Sequence, residues 1–440
     1  MPDSPTPTQQ ELAVSTLGPC EIPTPLAEAK GGHGRFIEDD TRVMYDVVFH
    51  EGHDPKPAIG FERAGPREKI HFQPAKSKAA IVTCGGLCPG LNNVVRNLFY
   101  MHRRHYGTAE VLGIRNGYQG LNPAEGQEPI TLTDSLVSSI HHQGGTLLGT
   151  SRGPQDPRVT VDFLQSQGVN ILHTIGGDGT QRGAHAIAQE VARRGADIAV
   201  VGVPKTIDND IRHCYQTFGF MSAVAEAERV IDRAHVEAIS VPRGVGLVKL
   251  MGRHAGFLAA SATIASGEVN FTIIPEAPLV LDGQDGLLAR LGRRLDASDH
   301  AVVVVAEGAG QELLRAEKGD HAPRVDASGN ELLSDIGLYL RKRIKQHFAD
   351  IGNPVELKYI DPSYYVRSVH ANAYDSLMTE KFARHAVHAA MAGKTDLFIG
   401  IWQGHMVHVP LSASCGQERR LSTGRDMWSA VLTITGQERW

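Results

Sequence analysis

A chain of 440 residues, 41% of them hydrophobic and 21% charged, carries enough apolar mass for one large or two medium globular domains and too much for a disordered chain. A formal charge of −5 offers no general electrostatic footprint for nucleic acid or an anionic membrane, so phosphate has to be held in a local pocket. Five scattered cysteines (Cys20, Cys84, Cys88, Cys214, Cys415) argue against a disulfide framework. With no basic-then-apolar leader and no run of about 18 apolar residues, the expected setting is reducing and cytoplasmic, away from the membrane.

Residues 1–77 are rich in Pro, Gly, Glu and His with weak periodicity, and read as an extension wrapped on the body or partly mobile. Regular patterning starts at Lys78. Short β-branched runs follow at Ala80–Thr83, Val111–Ile114, Ile171–Ile175, Ile198–Val201, Gly246–Leu250, Phe271–Ile274, Val302–Val305 and Leu397–Ile401, all too short for helices and suited to buried parallel strands. Between them Leu91, Val94, Val95 and Leu98 recur at helical spacing, as do Ala184, Ile187, Ala188 and Val191, and Ile336, Leu340, Ile344 and Phe348. This alternation predicts an α/β fold with two Rossmann-like lobes, mostly parallel sheets and a cleft between them. His405 and His408 fall in an alternating stretch that predicts a β-hairpin; nothing nearby in sequence supplies metal partners.

Three glycine turns fall at predicted strand ends, where open α/β sheets hold their ligands. The first, Gly85-Gly86-Leu87-Cys88-Pro89-Gly90, opens a helix and offers backbone N–H groups to a phosphate, although no Gly-Lys-Ser/Thr follows and a tight turn explains it as well. Cys84 and Cys88 flank it without a second pair to complete a metal site. The second, Gly176-Gly177-Asp178-Gly179-Thr180, sets one carboxylate among small residues; Asp178 suits Mg²⁺, with a helix cap as the plainer alternative.

In the third turn, Pro204-Lys205-Thr206-Ile207-Asp208-Asn209-Asp210 crowds an ammonium, a hydroxyl and two carboxylates directly after an apolar strand, which favours proton transfer to a carboxylate beside a cation-neutralised phosphoryl group. Arg253 of Met251-Gly252-Arg253 and Arg367 offer planar forks for a phosphate, and Glu307 offers an acceptor for hydroxyls.

Together with Gly145-Thr146-Leu147-Leu148-Gly149-Thr150-Ser151-Arg152-Gly153, these motifs, in this order from about Phe61 to Gly404, resemble the phosphofructokinase family. The resemblance implies the long-chain, ATP-dependent subgroup acting on fructose 6-phosphate, with Asp208 as base for the sugar 1-hydroxyl and Thr206 and Arg253 beside it. It puts Ile207, Asp210, Met251, Gly252, Glu307, Lys358, Tyr364 and Arg367 around the sugar. Gly85, Gly86, Arg152, Gly153, Gly177, Gly179 and Thr180 are implied near the nucleotide, with Asp178 at Mg²⁺. It further implies a nucleotide lobe of 78–218 plus about 366–420, a sugar-phosphate lobe of 219–365 plus about 421–440, and a homo-oligomer, tetramer or dimer.

Two positions bear on the phosphoryl donor. Pyrophosphate-using relatives carry a second Asp where this chain has Gly179, which favours ATP; Lys205 is typical of pyrophosphate users and can bind donor phosphates. Pyrophosphate-dependent transfer is therefore the alternative, ahead of a non-catalytic regulatory paralogue, which is expected to lack Asp208 or Asp178. A Gly-Gly-Asp-Gly turn also occurs in NAD and lipid kinases, but the Thr206–Asp210 cluster argues against them. Where many relatives place an Arg from a neighbouring subunit on the substrate phosphate, this chain has Gly244 preceded by Arg243, and Tyr364 stands for a histidine of shorter relatives.

Overall fold

The computed structural model describes residues 6–27, 36–48, 51, 58–318 and 332–439. Lys78–Thr83, Ile171–Gly176 and Ala199–Pro204 run parallel at the centre of a nine-stranded sheet, with Ala79 opposite Ile171 and Ile171 opposite Ala199. Leu397–Trp402 joins them in parallel on one side and Glu110–Ile114 on the other. These central strands are almost wholly apolar because helices or loops cover both faces. Antiparallel strands close the two edges, Ile130–Thr131 at one and His405–Pro410, Gly60–Arg63 and Arg42–Met44 at the other.

A second sheet is parallel throughout, in the order Phe271–Ile273, His300–Ala306, Gly244–Leu250, Glu356–Ile360. Its valine run divides by the two-residue period of a strand: Val302 and Val304 enter the large core shared with the first sheet, while Val303 and Val305 enter a separate core under Ile336–Asp350. Register brings strand ends level, Pro204 with Gly176 in one sheet and Leu250 with Ala306 in the other. The turns that follow therefore open at common heights.

The segment before Lys78 is part of the first sheet through two strands. Its anchorage is ionic as well. Glu62 is buried and receives Arg67 at 2.8 Å, Lys394 at 3.2 Å and His408 Nδ1 at 3.0 Å, while Asp39 pairs with Arg67 at 2.8 Å and Lys394 at 3.0 Å. The predicted hairpin of His405 and His408 forms on a two-residue turn with Gln403 at φ 49° and Gly404 at φ 77°, both left-handed as such turns require. Burial favours a neutral His408 imidazole, whose Nδ1–H donates to Glu62.

At the other end of the chain, helix Asp426–Thr435 packs on helix Phe257–Ser266. Beyond it the Gln437 amide accepts from Thr272 N at 2.6 Å and donates to Thr272 O at 3.2 Å. All five cysteines are free, and among the described residues no helix is long and apolar enough to cross a membrane.

Burial alone would raise Glu62, but the hydrogen bond and electrostatic pull of His408, with the Lys394 and Arg67 charges, outweigh it and hold the carboxyl down at about 2 from an ordinary 4.5. A carboxylate depressed by folding stabilises the fold above its unfolded value, and that contribution fades as pH falls through about 4.5 towards about 2. Glu62→Gln is expected to destabilise the chain by about 3 kcal/mol at neutral pH, with the difference from wild type shrinking in acid. Urea midpoints measured across that pH range test this.

Candidate functional site

The first glycine turn and the loop 145–153 are one hydrogen-bonded unit. Thr83 Oγ1 donates to Gly149 O at 2.7 Å, Thr150 Oγ1 donates to Gly85 O at 2.7 Å, and Gly85 N donates to Ser151 O at 3.1 Å. Gly85 at φ 80° and Gly153 at φ 100° take left-handed conformations that favour glycine. Lys205 lies buried beneath, and its Nζ donates to Gly86 O, so the ammonium braces the turn from inside. Burial lowers its pKa. Arg152 is exposed on the same loop, and Arg367 Nη1 approaches within 3.7 Å of where a Cβ on Gly86 would stand.

Asp178 opens helix Asp178–Arg194, its Oδ1 accepting from Gly416 N at 3.1 Å and its Oδ2 pairing with Arg182 Nε at 3.0 Å. A Cβ on Gly179 would meet nothing nearer than Arg182 Nη2 at 3.8 Å, and one on Gly177 only Lys205 O at 3.4 Å. By contrast a Cβ on Gly176 would stand 2.1 Å from Thr180 Oγ1. Thr180 is therefore buried beneath the turn against Gly176, with Tyr118 Oη donating to its carbonyl at 2.6 Å.

Among the described residues no three His, Cys, Asp or Glu side chains are grouped to cage a metal. One partly exposed carboxylate at a helix start, between the unobstructed Gly177 and Gly179, fits an ion such as Mg²⁺ that retains waters and takes substrate oxygens.

The loop after Ala199–Pro204 is fixed by its own side chains. Asn209, at φ 54°, accepts from Thr217 N at 3.0 Å and donates to Tyr215 O at 3.2 Å, and Thr217 Oγ1 donates to Thr206 O at 2.8 Å. Thr206 Oγ1 accepts from Asp208 N at 3.0 Å and bonds the Asp210 carboxylate. Ile207 is buried as the anchor between them. Asp208 Oδ1 is enclosed and has no hydrogen-bond partner among the described residues. Burial, then Asp210 and Glu307, push the Asp208 carboxyl well above its ordinary value, with Arg253 and Lys205 opposing. Burial also raises Asp210, with Glu418 and Asp178 adding and Thr206 opposing.

The second sheet supplies the facing wall. After Leu250 the chain turns through Met251 and Gly252, the latter at φ 131°, and is held by Glu307 N to Leu250 O at 2.9 Å and Gly308 N to Gly252 O at 3.0 Å. A Cβ on Gly308 would stand 1.7 Å from Arg253 O, so this approach demands glycine. Burial raises Glu307, while Arg253, Lys249 and Arg367 pull it down. Lys249 binds Asp335 at 2.9 Å and Asp361 at 2.8 Å and so secures the neighbouring turn. In that turn the Arg367 guanidinium lies 4.9 Å over the Tyr364 ring, which is largely exposed.

Lys358, expected at the sugar, falls outside this cluster, as do Gly244 and Arg243. Lys358 is exposed and pairs with Gly246, four residues before Leu250, which at about 3.3 Å per residue leaves it about 13 Å back along the sheet. A side chain at Gly244 has no room, since its Cβ would stand 1.9 Å from Ala238 O. Arg243 does not serve the cluster from within its own chain, because Nη1 is bound to Asp296 at 2.8 Å and its N–H to Asp299 at 2.9 Å.

One contributor has no signature in the sequence. The stretch Cys415–Leu421 crosses the site: Gly416 N reaches Asp178, Glu418 bridges Ile211, Arg419 N donates to Asp210 O at 2.7 Å, and Leu421 N donates to Glu276 at 2.7 Å. Glu276, raised by burial, also accepts from Gly256 N at 2.9 Å. Only the Gly416 break and the polar run Gln417–Arg420 after the buried Leu411 hint at a loop with a task.

Comparison with known proteins adds a family to this geometry. A family profile described as phosphofructokinase matches residues 78–390. The chain is 45% identical over 436 residues to an ATP-dependent 6-phosphofructokinase of Amycolatopsis methanolica, covering 97% of this chain and 95% of the relative. It is 44% identical over 402 residues to ATP-dependent 6-phosphofructokinase 7 of Arabidopsis thaliana, covering 91% and 81%. Among solved structures, a pyrophosphate-dependent phosphofructokinase of Marinobacter aquaeolei superposes with a TM-score of 0.66 at 22% identity, covering 82% of this chain and 93% of that one. A phosphofructokinase of Saccharomyces cerevisiae does so with a TM-score of 0.61 at 25% identity, covering 77% and 45%. The first of these two likenesses speaks to fold alone.

The two kinds of glycine make a direct test. Gly179→Ala is expected to leave stability unchanged or raise it by up to about 1 kcal/mol, as Ala replaces Gly in a helix with open space around it. Gly176→Ala collides with Thr180 and is expected to cost about 2 kcal/mol. Thermal denaturation of both variants reads the contrast.

Proposed function

This chain belongs to the phosphofructokinase family, and on that premise we propose that it is an ATP-dependent 6-phosphofructokinase, transferring the γ-phosphoryl group of ATP to the 1-hydroxyl of fructose 6-phosphate. The observation that carries the mechanism is Asp208: a carboxylate with one enclosed, unpartnered oxygen, facing Arg253 across the meeting of two sheets. As the sugar O1 forms its bond to the γ-phosphorus, the bond from that phosphorus to the β,γ-bridging oxygen breaks and ADP departs. The proton of the 1-hydroxyl passes to Asp208. Arg253 offsets charge on the transferred group, and Thr206 fixes the Asp208 backbone. Glu307, Met251 and Arg367 bind and orient the sugar phosphate, while Gly85, Gly86, Gly177 and Gly179 let the donor approach the backbone. Asp178 would hold Mg²⁺, which when bound neutralises the phosphate oxygens it shares with the donor.

ATP is the donor in this reading because the space beside Gly179 is open, and a carboxylate there would repel a nucleotide phosphate by like charge. Lys205, which argued for pyrophosphate from sequence, is engaged with Gly86 O and does not discriminate between donors.

With fructose 6-phosphate and Mg²⁺, ATP is expected to support turnover at least about tenfold faster than pyrophosphate, a difference of about 1.4 kcal/mol in barrier. Activity confined to pyrophosphate would overturn the donor assignment. Asp208→Asn is expected to lower kcat by about 1,000-fold with the KM for fructose 6-phosphate nearly unchanged, as removal of a general base does. Because the base works ionised and its pKa is raised, wild-type kcat/KM should fall as pH drops through a value well above the ordinary 3.8 of an aspartate. An acid limb at or below 3.8 would show that this elevation does not hold in the working enzyme.

A further inference from the structure

We propose that Arg419 is the positioning residue that holds the Asp208 loop against the Arg253 wall, an inference that rests on the kinase reading above. Its Nη1 donates to Tyr215 O at 2.6 Å, Cys214 O at 3.3 Å and Asn209 O at 3.4 Å. Those carbonyls belong to the two ends of the turn that begins beside Asp208, so one guanidinium closes it like a clasp. The Arg419 backbone N–H adds a bond to Asp210 O at 2.7 Å. Loop and strap are thus joined by main chain and side chain together.

The other face of the guanidinium meets the second sheet's side. It lies 4.5 Å over the Phe257 ring and 5.4 Å from the Tyr215 ring. Phe257 begins helix Phe257–Ser266, four residues after Arg253. The same strap is tied down on both sides, to Ile211 through Glu418 and to Gly256 through Leu421 and Glu276.

All three carbonyl bonds leave one nitrogen, Nη1, while the flat guanidinium face lies over the Phe257 ring, so a single side chain ties the loop and rests on the second sheet's side. Lysine can donate to carbonyls but has no flat cation to lay on Phe257. In-line transfer tolerates about 1 Å of misplacement before losing about 100-fold in rate, so the separation of Asp208 from Arg253 is the quantity Arg419 sets. None of the Arg419 bonds reaches the Gly85–Gly86 or Gly177–Gly179 turns, so its loss is expected to act on the Asp208 loop before nucleotide affinity.

The test measures kcat and both KM values with ATP and fructose 6-phosphate for wild type, Arg419→Ala and Arg419→Lys, with thermal denaturation in parallel. Absence of wild-type turnover overturns the kinase reading itself and is read before any variant. Given active wild type, Arg419→Ala is expected to lose about 100-fold in kcat with the KM for ATP within about twofold, and to regain part of it in millimolar guanidinium. Arg419→Lys is expected to fall between the two. A folded Arg419→Ala enzyme with wild-type kcat overturns the inference, as does a loss shared by kcat and ATP affinity that guanidinium leaves unchanged. Should Arg419→Ala fail to fold, Arg419→Lys decides: reduced kcat at unchanged ATP KM supports the role, and wild-type kcat refutes it.

Discussion

Asp208 and Asp210 stand two residues apart in a loop withdrawn from water, and their mutual repulsion is the constraint that the rest of the site answers. Each carboxylate disfavours the other's ionised form, and burial adds to the effect. Relief comes from three directions: the Thr206 hydroxyl beneath, the buried Lys205 on the same strand end, and Arg253 from the opposite sheet. Neither sheet can hold this arrangement alone. The first carries the acids and the second brings the guanidinium, so level strand ends in both sheets are what make the cleft a chemical site rather than a seam.

Glycine serves opposite ends within that site. At Gly308, Gly244 and Gly176 a Cβ would drive into backbone or a buried side chain, so packing dictates the residue. At Gly179, Gly177 and Gly86 the space in front is open apart from the edges of Arg182, Lys205 and Arg367. Room left there by the protein is room for a donor, and side-chain bulk at Gly179 is therefore a question of donor choice and not of folding.

Much of this was legible from the chain because the central strands are buried on both faces: Val302–Val305 can be little else than strand, and the glycine turns follow such strands directly. The helices around Leu91 and Ala184 were readable from one apolar face. What escaped depended on partners distant in sequence. Arg42–Met44 and Gly60–Arg63 are too short to declare themselves and exist because His405–Pro410 offers an edge, with Glu62 meeting Lys394 across more than three hundred residues. The family resemblance put Lys358 at the sugar, and it is the parallel register that sets its backbone four residues short of the Leu250 strand end. Lys205 was read as facing the donor, although an ammonium bonds whichever carbonyl burial leaves within reach, here Gly86 O. The Cys415–Leu421 strap has no periodicity at all, and its contacts are mostly made by main chain.

The Gln437 amide on Thr272 carries a further meaning. Phe271–Ile273 is the outer strand of an all-parallel sheet, and its free peptide groups are a template on which a foreign strand can grow. A primary amide presents one acceptor and two donors much as a peptide unit does, so this single side chain occupies the docking position without extending the ladder. Gln437 thereby covers part of that edge, and removing it would leave the Thr272 peptide groups without this partner.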